Sequence, residues 1–232
     1  MDAITLKQQA AEYAAQFIEP GMVVGLGAGS TAILAVRHIG YLLKTGALRN
    51  ILGIPCSTQT EAEARALGIP LTTLEEHPII DVTIDGADEV DPQLELIKGG
   101  GGALTREKIV AQATRREIIV VDESKLVPPL GTTWAVPVEV IPFGYGSQQV
   151  YLESLGARVK LRPGSSGLPY RTDQGNFILD CNFGPIADPA ALGERLKRRT
   201  GIVEHGLFIG LATDMISASA GGIQHRTRTP SA

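Results

Sequence analysis

Residues 22–31, Met-Val-Val-Gly-Leu-Gly-Ala-Gly-Ser-Thr, run from a short apolar strand through a glycine turn into a helix. Backbone N–H groups at a helix N-terminus form an anion site, and glycines let a phosphate approach them closely. The spacing does not match a dinucleotide fingerprint, because Ser30 stands where GxGxxG requires glycine, or a Walker loop, because the segment has no lysine. It predicts a hydroxyl-bearing site for one phosphate, with a tight helix–strand turn as the alternative.

Apolar strands alternate with helices on both sides of this turn. The N-terminal amphipathic helix ends at Pro20-Gly21, and Thr58 with Glu61 has the spacing of a capping box. This alternation predicts a mostly parallel sheet covered by helices on both faces. The predicted strands are residues 22–26, 51–56, 79–84 and 117–121, and the predicted helices after the first are residues 30–44, 58–67 and 104–116.

The pattern changes after Val127-Pro128-Pro129. A strand predicted at residues 134–141 contains Pro137, which favours a sheet edge or a bulge. The segments beyond it predict a smaller α+β domain with an antiparallel sheet. These segments are period-two strands at 158–161 and 176–182, helices at 147–155 and 188–199, and an apolar strand at 206–211 that is expected to return to the first sheet.

These elements divide the chain into two predicted domains. The first combines residues 1–130 with about 206–220, and the second, residues 131–205, is the expected oligomer contact. Residues 221–232 carry no apolar period and are expected to form a flexible tail.

Composition restricts the classes of protein that this chain can belong to. Its 232 residues are 44% hydrophobic and 20% charged, the balance of a globular protein of one or two domains. The net charge of −4 argues against a nucleic-acid surface, and no apolar run approaches a membrane span. The two cysteines, Cys56 and Cys181, show no metal spacing and are expected to be buried in a reducing compartment, the cytoplasm.

The strand predicted at residues 79–84 runs directly into four acidic residues within seven positions, Asp85, Asp88, Glu89 and Asp91. Ligands of open α/β sheets bind beyond the carboxyl ends of strands, so Asp85 and Asp88 are candidate functional residues. Asp81 lies further back and is expected to be structural. A hard cation site and a solvated turn with capping aspartates remain the alternatives.

A second glycine-rich segment, residues 98–107, begins Lys-Gly-Gly-Gly-Gly and ends at Glu107. Four consecutive glycines lose much conformational entropy on ordering, which favours a loop that must approach a ligand closely. Lys98 could stabilise an oxyanion, and Glu107 could act as a general base or be an ordinary glutamate at a helix start.

Together these segments resemble ribose-5-phosphate isomerase of the A type over roughly residues 1–211. The motifs GLGAGST, STQTEAEA, DGADEVD, KGGGGALTREKI, VVDESKLV and EHGLFIG occur in the family's order and spacing. The resemblance implies a Rossmann-like domain, and interconversion of ribose 5-phosphate and ribulose 5-phosphate in the non-oxidative pentose phosphate pathway. It also implies no metal or cofactor, a phosphosugar as the small-molecule partner, and a homodimer or homotetramer.

The resemblance also assigns roles to individual residues. Glu107 matches the general base, Asp85 and Asp88 match carboxylates that open the ring and bind substrate, and Lys98 matches a group at the reacting oxygens. The implied substrate-binding residues are Ala28, Gly29, Ser30, Thr31, Gly86, Ala87, Gly99, Gly100, Gly101, Lys125 and, with weaker support, Lys7.

Two departures and two rival functions accompany this resemblance. Ala28 stands where the family usually has Thr, which should tune phosphate affinity, and the segment after Leu211 does not look like the family's usual end. A non-catalytic sugar-phosphate sensor would need the phosphate site but not Glu107. An acyl-CoA transferase with a nucleophilic glutamate is the third interpretation, for which the chain is short.

Overall fold

The structure is a computed structural model that describes residues 3–229, apart from the side chains of residues 3 and 166. Its helices are α1 (Ala3–Ala15), α2 (Gly29–Thr45), α3 (Thr58–Ala66), α4 (Leu104–Gln112), α5 (Tyr145–Ser154) and α6 (Pro189–Lys197). Its strands are β1 (Val23–Leu26), β2 (Leu52–Pro55), β3 (Ile80–Asp85), β4 (Glu89–Val90), β5 (Leu96–Ile97), β6 (Thr114–Asp122), β7 (Val136–Val140), β8 (Arg158–Leu161), β9 (Phe177–Asn182), β10 (Ile202–His205), β11 (Leu207–Phe208), β12 (Asp214–Ser219) and β13 (Gly222–Thr227). Among the described helices, none has the length and apolarity needed to cross a membrane.

The chain divides into two compact units. Unit 1 combines the chain up to Ala87 with Arg106–Lys125 and the chain from Gly210 onward, and unit 2 combines Asp88–Thr105 with Leu126–Ile209. These boundaries differ from the expected ones, because residues 88–105, 126–130 and 206–209 group with unit 2. The reason is that β4, β5 and β11 form a sheet of their own.

Unit 1 is built on a six-stranded sheet in the order β13-β12-β6-β3-β1-β2. All neighbouring pairs are parallel except β12 with β13, which is antiparallel. Its main core joins Ala14 of α1 and Ile39 of α2 to strand residues such as Val82 and Ile118, all essentially buried. Together with the antiparallel sheets of unit 2, this mostly parallel sheet confirms the predicted α/β class.

Helix α3 begins at Thr58 as predicted, but its N-cap is Ser57 and not Thr58, because the Ser57 side chain accepts the backbone N–H of Thr60 at 3.0 Å. The predicted end of the next helix is wrong for a local reason. Helix α4 ends at Gln112 instead of 116. The Thr114 hydroxyl donates to the Val110 carbonyl at 2.7 Å, and the chain enters β6 there.

Unit 2 contains a four-stranded antiparallel sheet, β10-β7-β9-β8, and a small antiparallel sheet, β11-β5-β4. Its core joins Val138 and Leu179 of neighbouring strands to Leu152 of α5 and Leu196 of α6, each with no exposed surface. The interior is apolar on the strand positions that alternate inward, as the period-two pattern predicted.

Of the two predicted settings for Pro137, the sheet edge is wrong, because β7 pairs with both β9 and β10. The β7–β10 pairing does contain a register shift, between Ile202 and Glu204. The lack of an N–H at Pro137 is tolerated because Pro137 lies opposite the point where β10 ends and β11 begins. There the Pro137 carbonyl accepts the Gly206 N–H at 2.7 Å, and the Gly206 carbonyl accepts the N–H of Lys98 at 2.9 Å. A Cβ at Gly206 would lie 2.2 Å from the Lys98 carbonyl oxygen, so only glycine fits this crossing.

The C-terminal segment differs from the prediction in two respects. The strand that returns to the first sheet is β12, whereas β11 pairs with β5. The expected flexible tail is a paired strand, β13, over residues 222–227, and residues 230–232 lie outside the described part of the chain. All six residues of β13 are exposed, so the strand has no apolar alternation that sequence could show.

A buried carboxylate ties this C-terminal hairpin to β6. Asp214 accepts two hydrogen bonds of 3.0 Å from the Arg116 guanidinium, and one ring nitrogen of His225 lies 2.7 Å from Oδ1. Burial opposes the charged form, but these bonds and one from Thr213 outweigh it and lower the pKa of Asp214 to about 2.

We expect Asp214→Asn to lower the free energy of unfolding at pH 7, because the replaced carboxylate is stabilised in the folded state. The lowered pKa means that this stabilisation is complete above the ordinary value of 3.8 and is lost as the pH falls toward about 2. Denaturant unfolding of both proteins from pH 7 to pH 3 should therefore show a shrinking difference. Glu194→Gln, at an exposed ion pair, is the control, and a difference independent of pH would contradict the assignment.

Candidate active site

The glycine turn after β1 is shaped by close approach and by backbone conformation. A Cβ at Gly27 would lie 2.4 Å from Asp85 Oδ1, and Gly29 has φ +88°, a conformation that side chains disfavour. Ala28 precedes α2 without a side-chain cap. The first amides of this 17-residue helix therefore carry the partial positive charge that suits a phosphate.

Side chains of the predicted phosphate site and of α1 converge at the start of α2. Ser30 is exposed and Thr31 is 9% exposed. Lys7 of α1 donates from Nζ to Ser30 Oγ at 3.1 Å and lies 3.8 Å from Asp122 Oδ2. The structure thus brings Lys7, the least supported of the predicted residues, to this site.

Asp122, at the end of β6, is a residue that sequence reasoning missed. Burial opposes its charge, but hydrogen bonds from Ser124 and the charges of Lys7 and Lys125 outweigh it and lower the pKa of Asp122. The charges of two predicted site residues, Lys7 and Lys125, therefore both act on this carboxylate. Its signal was present in the motif VVDESK, where it directly follows an apolar strand.

Asp85 ends β3 and is 1% exposed. Its Oδ1 accepts the N–H of Ala28 at 3.0 Å and that of Gly86 at 2.7 Å. The carboxylate is therefore oriented by the glycine turn, and the Ala28 amide is already used by Asp85. Residues 29–31 carry the next backbone amides at the start of α2. The predicted residues Gly86 and Ala87 follow directly along the chain.

Glu107 lies in the first turn of α4 and is 6% exposed. An ordinary helix-start glutamate would extend into water, so burial favours a functional role. The helix begins at Leu104 and carries Thr105 next, whose hydroxyl donates to Glu139 Oε2 at 2.6 Å. Glu139 is fully buried and also accepts hydrogen bonds from Thr172 and Asn176, which fixes the position of Thr105.

In unit 2, Lys98 begins the glycine loop, which we define as residues 98–102, and Asp88 contacts this loop. Lys98 follows β5, is 2% exposed, and places its Nζ 5.5 Å from the centre of the Phe208 ring. Asp88 Oδ2 accepts the N–H of Gly100 at 2.7 Å, and a Cβ at Gly100 would lie 2.6 Å from Asp88 Oδ1. Asp88 is thus fastened to the loop.

The remaining acidic residues have structural partners. Asp81 accepts the N–H of Val23 and pairs with Arg115. Glu89, fully buried, accepts three backbone N–H groups of residues 131–134, and Asp91 accepts those of Gln93 and Glu95. Within residues 3–229, no three or more His, Cys, Asp or Glu side chains form a group that could hold a metal ion.

Parallel strands that end in oriented carboxylates, beside a glycine turn suited to phosphate, define a Rossmann-like α/β protein for a small phosphorylated ligand. Residues 52–222 match the family model of ribose 5-phosphate isomerase A (phosphoriboisomerase A). Ribose-5-phosphate isomerase A of Desulfatibacillum aliphaticivorans is 58% identical over 219 residues, covering 94% of this chain and 95% of that protein.

Solved structures agree with these comparisons. A D-ribose-5-phosphate isomerase in complex with phospho-erythronic acid has a TM-score of 0.96 at 40% identity, over 98% of this chain and all of that one. The ribose 5-phosphate isomerase from Plasmodium falciparum has a TM-score of 0.94 at 41% identity, with the same coverage. The chain belongs to the ribose 5-phosphate isomerase A family, which confirms the resemblance. The matched region extends past Leu211, so the C-terminal departure is smaller than expected.

We expect Gly27→Ala to destabilise the protein by about 1–3 kcal/mol, because the added methyl group would overlap Asp85 and the Ile84 carbonyl. Gly146→Ala, in α5 with open space around it, is the control and should be neutral or slightly stabilising. Denaturant unfolding measures both. Equal stabilities of the two variants would refute the close approach of Asp85 to the turn.

Proposed function

We propose that Glu107 is the base with which this chain interconverts D-ribose 5-phosphate and D-ribulose 5-phosphate. The activity is that of the family to which the chain belongs. Glu107 removes the proton from carbon 2 of the open-chain sugar and returns it to carbon 1, by way of a cis-enediolate. The hydrogen moves as a proton, so the reaction needs no redox cofactor, and turnover should persist with a chelator present. The burial of Glu107 at the start of α4 is the observation that carries this assignment.

The phosphate end of the substrate is assigned to residues 28–31, Lys7 and Lys125. Main-chain amides at the start of α2 and the Ser30 and Thr31 hydroxyls supply donors, while the two lysines supply charge. The Lys7–Ser30 hydrogen bond supports this grouping. Holding the phosphate fixes carbons 1 and 2 against the base, which is catalysis by positioning.

The carboxylates at the strand end are assigned to the sugar. Asp85 is the favoured acid–base group for opening the furanose ring, since its orientation is set by two backbone amides. Asp88, together with Gly86 and Ala87, binds substrate hydroxyls. A carboxylate whose position is fixed before substrate arrives loses no rotamer freedom on binding, which favours the reacting geometry.

Lys98 and the N–H groups of Gly99 and Gly101 are assigned to the enediolate oxygens, while Gly100, whose N–H donates to Asp88, lines the same loop. An ammonium group held in a buried position stabilises developing negative charge more strongly than one in water. Phosphoerythronic acid, which a relative 40% identical binds, carries a carboxylate where the enediolate carries its charge. We expect the same compound to bind this chain as a competitive inhibitor.

Unit 2 supplies the proposed contact of a homodimer in the cytoplasm. Ile141, Phe143 and Val150 of this unit are 46%, 92% and 67% exposed, an arrangement that favours a protein interface. Cys56 and Cys181 are both buried and neither forms a disulfide, which fits a reducing compartment.

Glu107→Gln is expected to fold normally and to lose about 10²–10⁴ in kcat, because the amide cannot accept the carbon-bound proton. The coupled assay for ribulose 5-phosphate formation measures this loss. Glu61→Gln, also in the first turn of a helix, is the control and should retain full activity. Near-normal turnover of Glu107→Gln would refute the assignment of the base, whereas an absence of turnover in the unaltered protein would favour the non-catalytic sugar-phosphate sensor.

Ser30→Ala should raise KM roughly tenfold and leave kcat within about threefold, because a hydrogen bond to a charged phosphate is lost in both ground and transition states. Steady-state kinetics with ribose 5-phosphate separates the two constants. Ser154→Ala, which removes an exposed hydroxyl in α5, is the matched control. A defect confined to kcat would contradict the phosphate assignment.

Phe143→Glu is expected to convert the proposed dimer to monomer, because a charge replaces an apolar side chain in a desolvated contact. Sedimentation velocity at micromolar protein measures the change. Ile4→Glu, at a position 70% exposed in unit 1, is the control. A dimer unaffected by the Phe143 change would place the contact elsewhere.

A further inference from the structure

Three consecutive carbonyls of the glycine loop accept hydrogen bonds from side chains far along the chain. Arg162 donates from Nη1 to the Gly99 carbonyl at 2.9 Å and to the Gly100 carbonyl at 3.0 Å. The Tyr170 hydroxyl donates to the Gly101 carbonyl at 3.2 Å. All of these residues belong to unit 2. A run of glycines, which has little conformational preference of its own, is therefore held from one side by two named groups.

Arg162 is itself held rigidly. Its Nε donates to Asp180 Oδ2 at 3.0 Å, and a second guanidinium nitrogen pairs with the other oxygen of that carboxylate. Its backbone N–H donates to the Ile178 carbonyl at 2.9 Å, which extends the β8–β9 pairing by one residue. The side chain is only 13% exposed. A fork-shaped pair of this kind fixes direction as well as distance.

Fixing the carbonyls also fixes the N–H groups of the loop. A trans peptide is planar and its N–H points opposite to its C=O, so the N–H groups of Gly100 and Gly101 are turned away from Arg162. The Gly100 N–H meets the carboxylate of Asp88 on that side. At Gly101 a Cβ would meet nothing within 4 Å, so open space lies beside its backbone. A positive charge on two carbonyls also polarises those peptides and strengthens their N–H groups as donors.

We propose that Arg162 is a positioning residue for isomerisation. It orients and polarises the N–H of Gly100 toward Asp88 and the N–H of Gly101 toward the enediolate. Tyr170 completes the same support at Gly101. This inference rests on the proposed function, in which the glycine loop binds the enediolate oxygens. Arg162 touches no substrate in this account, and its effect passes through the loop alone.

A role of this kind predicts a specific kinetic pattern. Donors that drift from an enediolate lose transition-state stabilisation, so Arg162→Gln should lower kcat about 10- to 100-fold. KM and the inhibition constant of inorganic phosphate, which depend on residues 28–31, should stay within about threefold. The inhibition constant of phosphoerythronic acid should rise with the loss in kcat, because its carboxylate depends on the same amides. Arg162→Lys should restore part of the activity, since a lysine can reach one carbonyl but not both.

The experiment compares Arg162→Gln and Arg162→Lys with Arg171→Gln. Arg171 is the matched control, because it also donates to a loop carbonyl, that of Gly175 at 2.7 Å, and also lies over a ring, that of Phe177. Turnover, both inhibition constants and thermal unfolding are measured for all three. Equal kcat in Arg162→Gln and Arg171→Gln, or a rise in the phosphate constant equal to that of phosphoerythronic acid, would overturn the proposal.

Tyr170→Phe tests the support of the glycine loop by a second route, in case Arg162→Gln does not fold. It removes the hydroxyl that donates to Gly101 and retains the ring, so a roughly 3- to 10-fold lower kcat with an unchanged phosphate constant is expected. An unchanged kcat would overturn the role of this support. A fully active Glu107→Gln variant would instead overturn the proposed function, which separates the two failures.

Discussion

The carboxylate of Asp85 is the constraint on which the organisation of unit 1 depends. It ends β3, and its Oδ1 accepts the amides of Ala28 and Gly86, the residues that follow two neighbouring parallel strands. The approach is so close that Gly27 has no room for a side chain. One buried group therefore fixes the turn that presents the phosphate amides and also the position of a carboxylate at the same sheet edge. The six-stranded sheet provides the rigid base for both.

Unit 2 holds the glycine loop, in which Lys98 has the only side chain, in one conformation. Polar groups of unit 2 hold the loop through hydrogen bonds to its backbone. Pro137 leaves the Gly206 carbonyl available for the Lys98 amide, and Arg162 engages the carbonyls of Gly99 and Gly100. Such networks specify one arrangement when every member has a partner.

Local patterns in the sequence predicted what local physics determines. The strands of the parallel sheet followed from apolar runs, and the glycine turn and the acidic strand end followed from their spacing. Expectations were wrong, and one supporting residue was missed, where distant contacts decide the structure. Pro137 lies in a central strand because a neighbouring strand ends beside it, and the tail forms β13 because β12 offers an unpaired edge. Arg162 lies about sixty residues from the loop it supports, so no spacing in the sequence connects them.

The site residues differ in how far sequence could assign them. Burial of Glu107 and Lys98 could not be read from their neighbours, which include exposed residues, and it is burial that distinguishes them from ordinary surface charges. Asp122 lies in the motif VVDESK, but its ion pair with Lys7 depends on α1 and β6 meeting in the fold.

In the proposed isomerisation a proton, not a hydride, moves between carbons 1 and 2 of the sugar. Proton NMR of the ketose formed from ribose 5-phosphate in D₂O tests it most directly. A proton that passes through a carboxylate base exchanges in part with solvent, so the account predicts deuterium at carbon 1 of ribulose 5-phosphate in early turnovers. Product that forms at a normal rate without deuterium at carbon 1 would contradict the account.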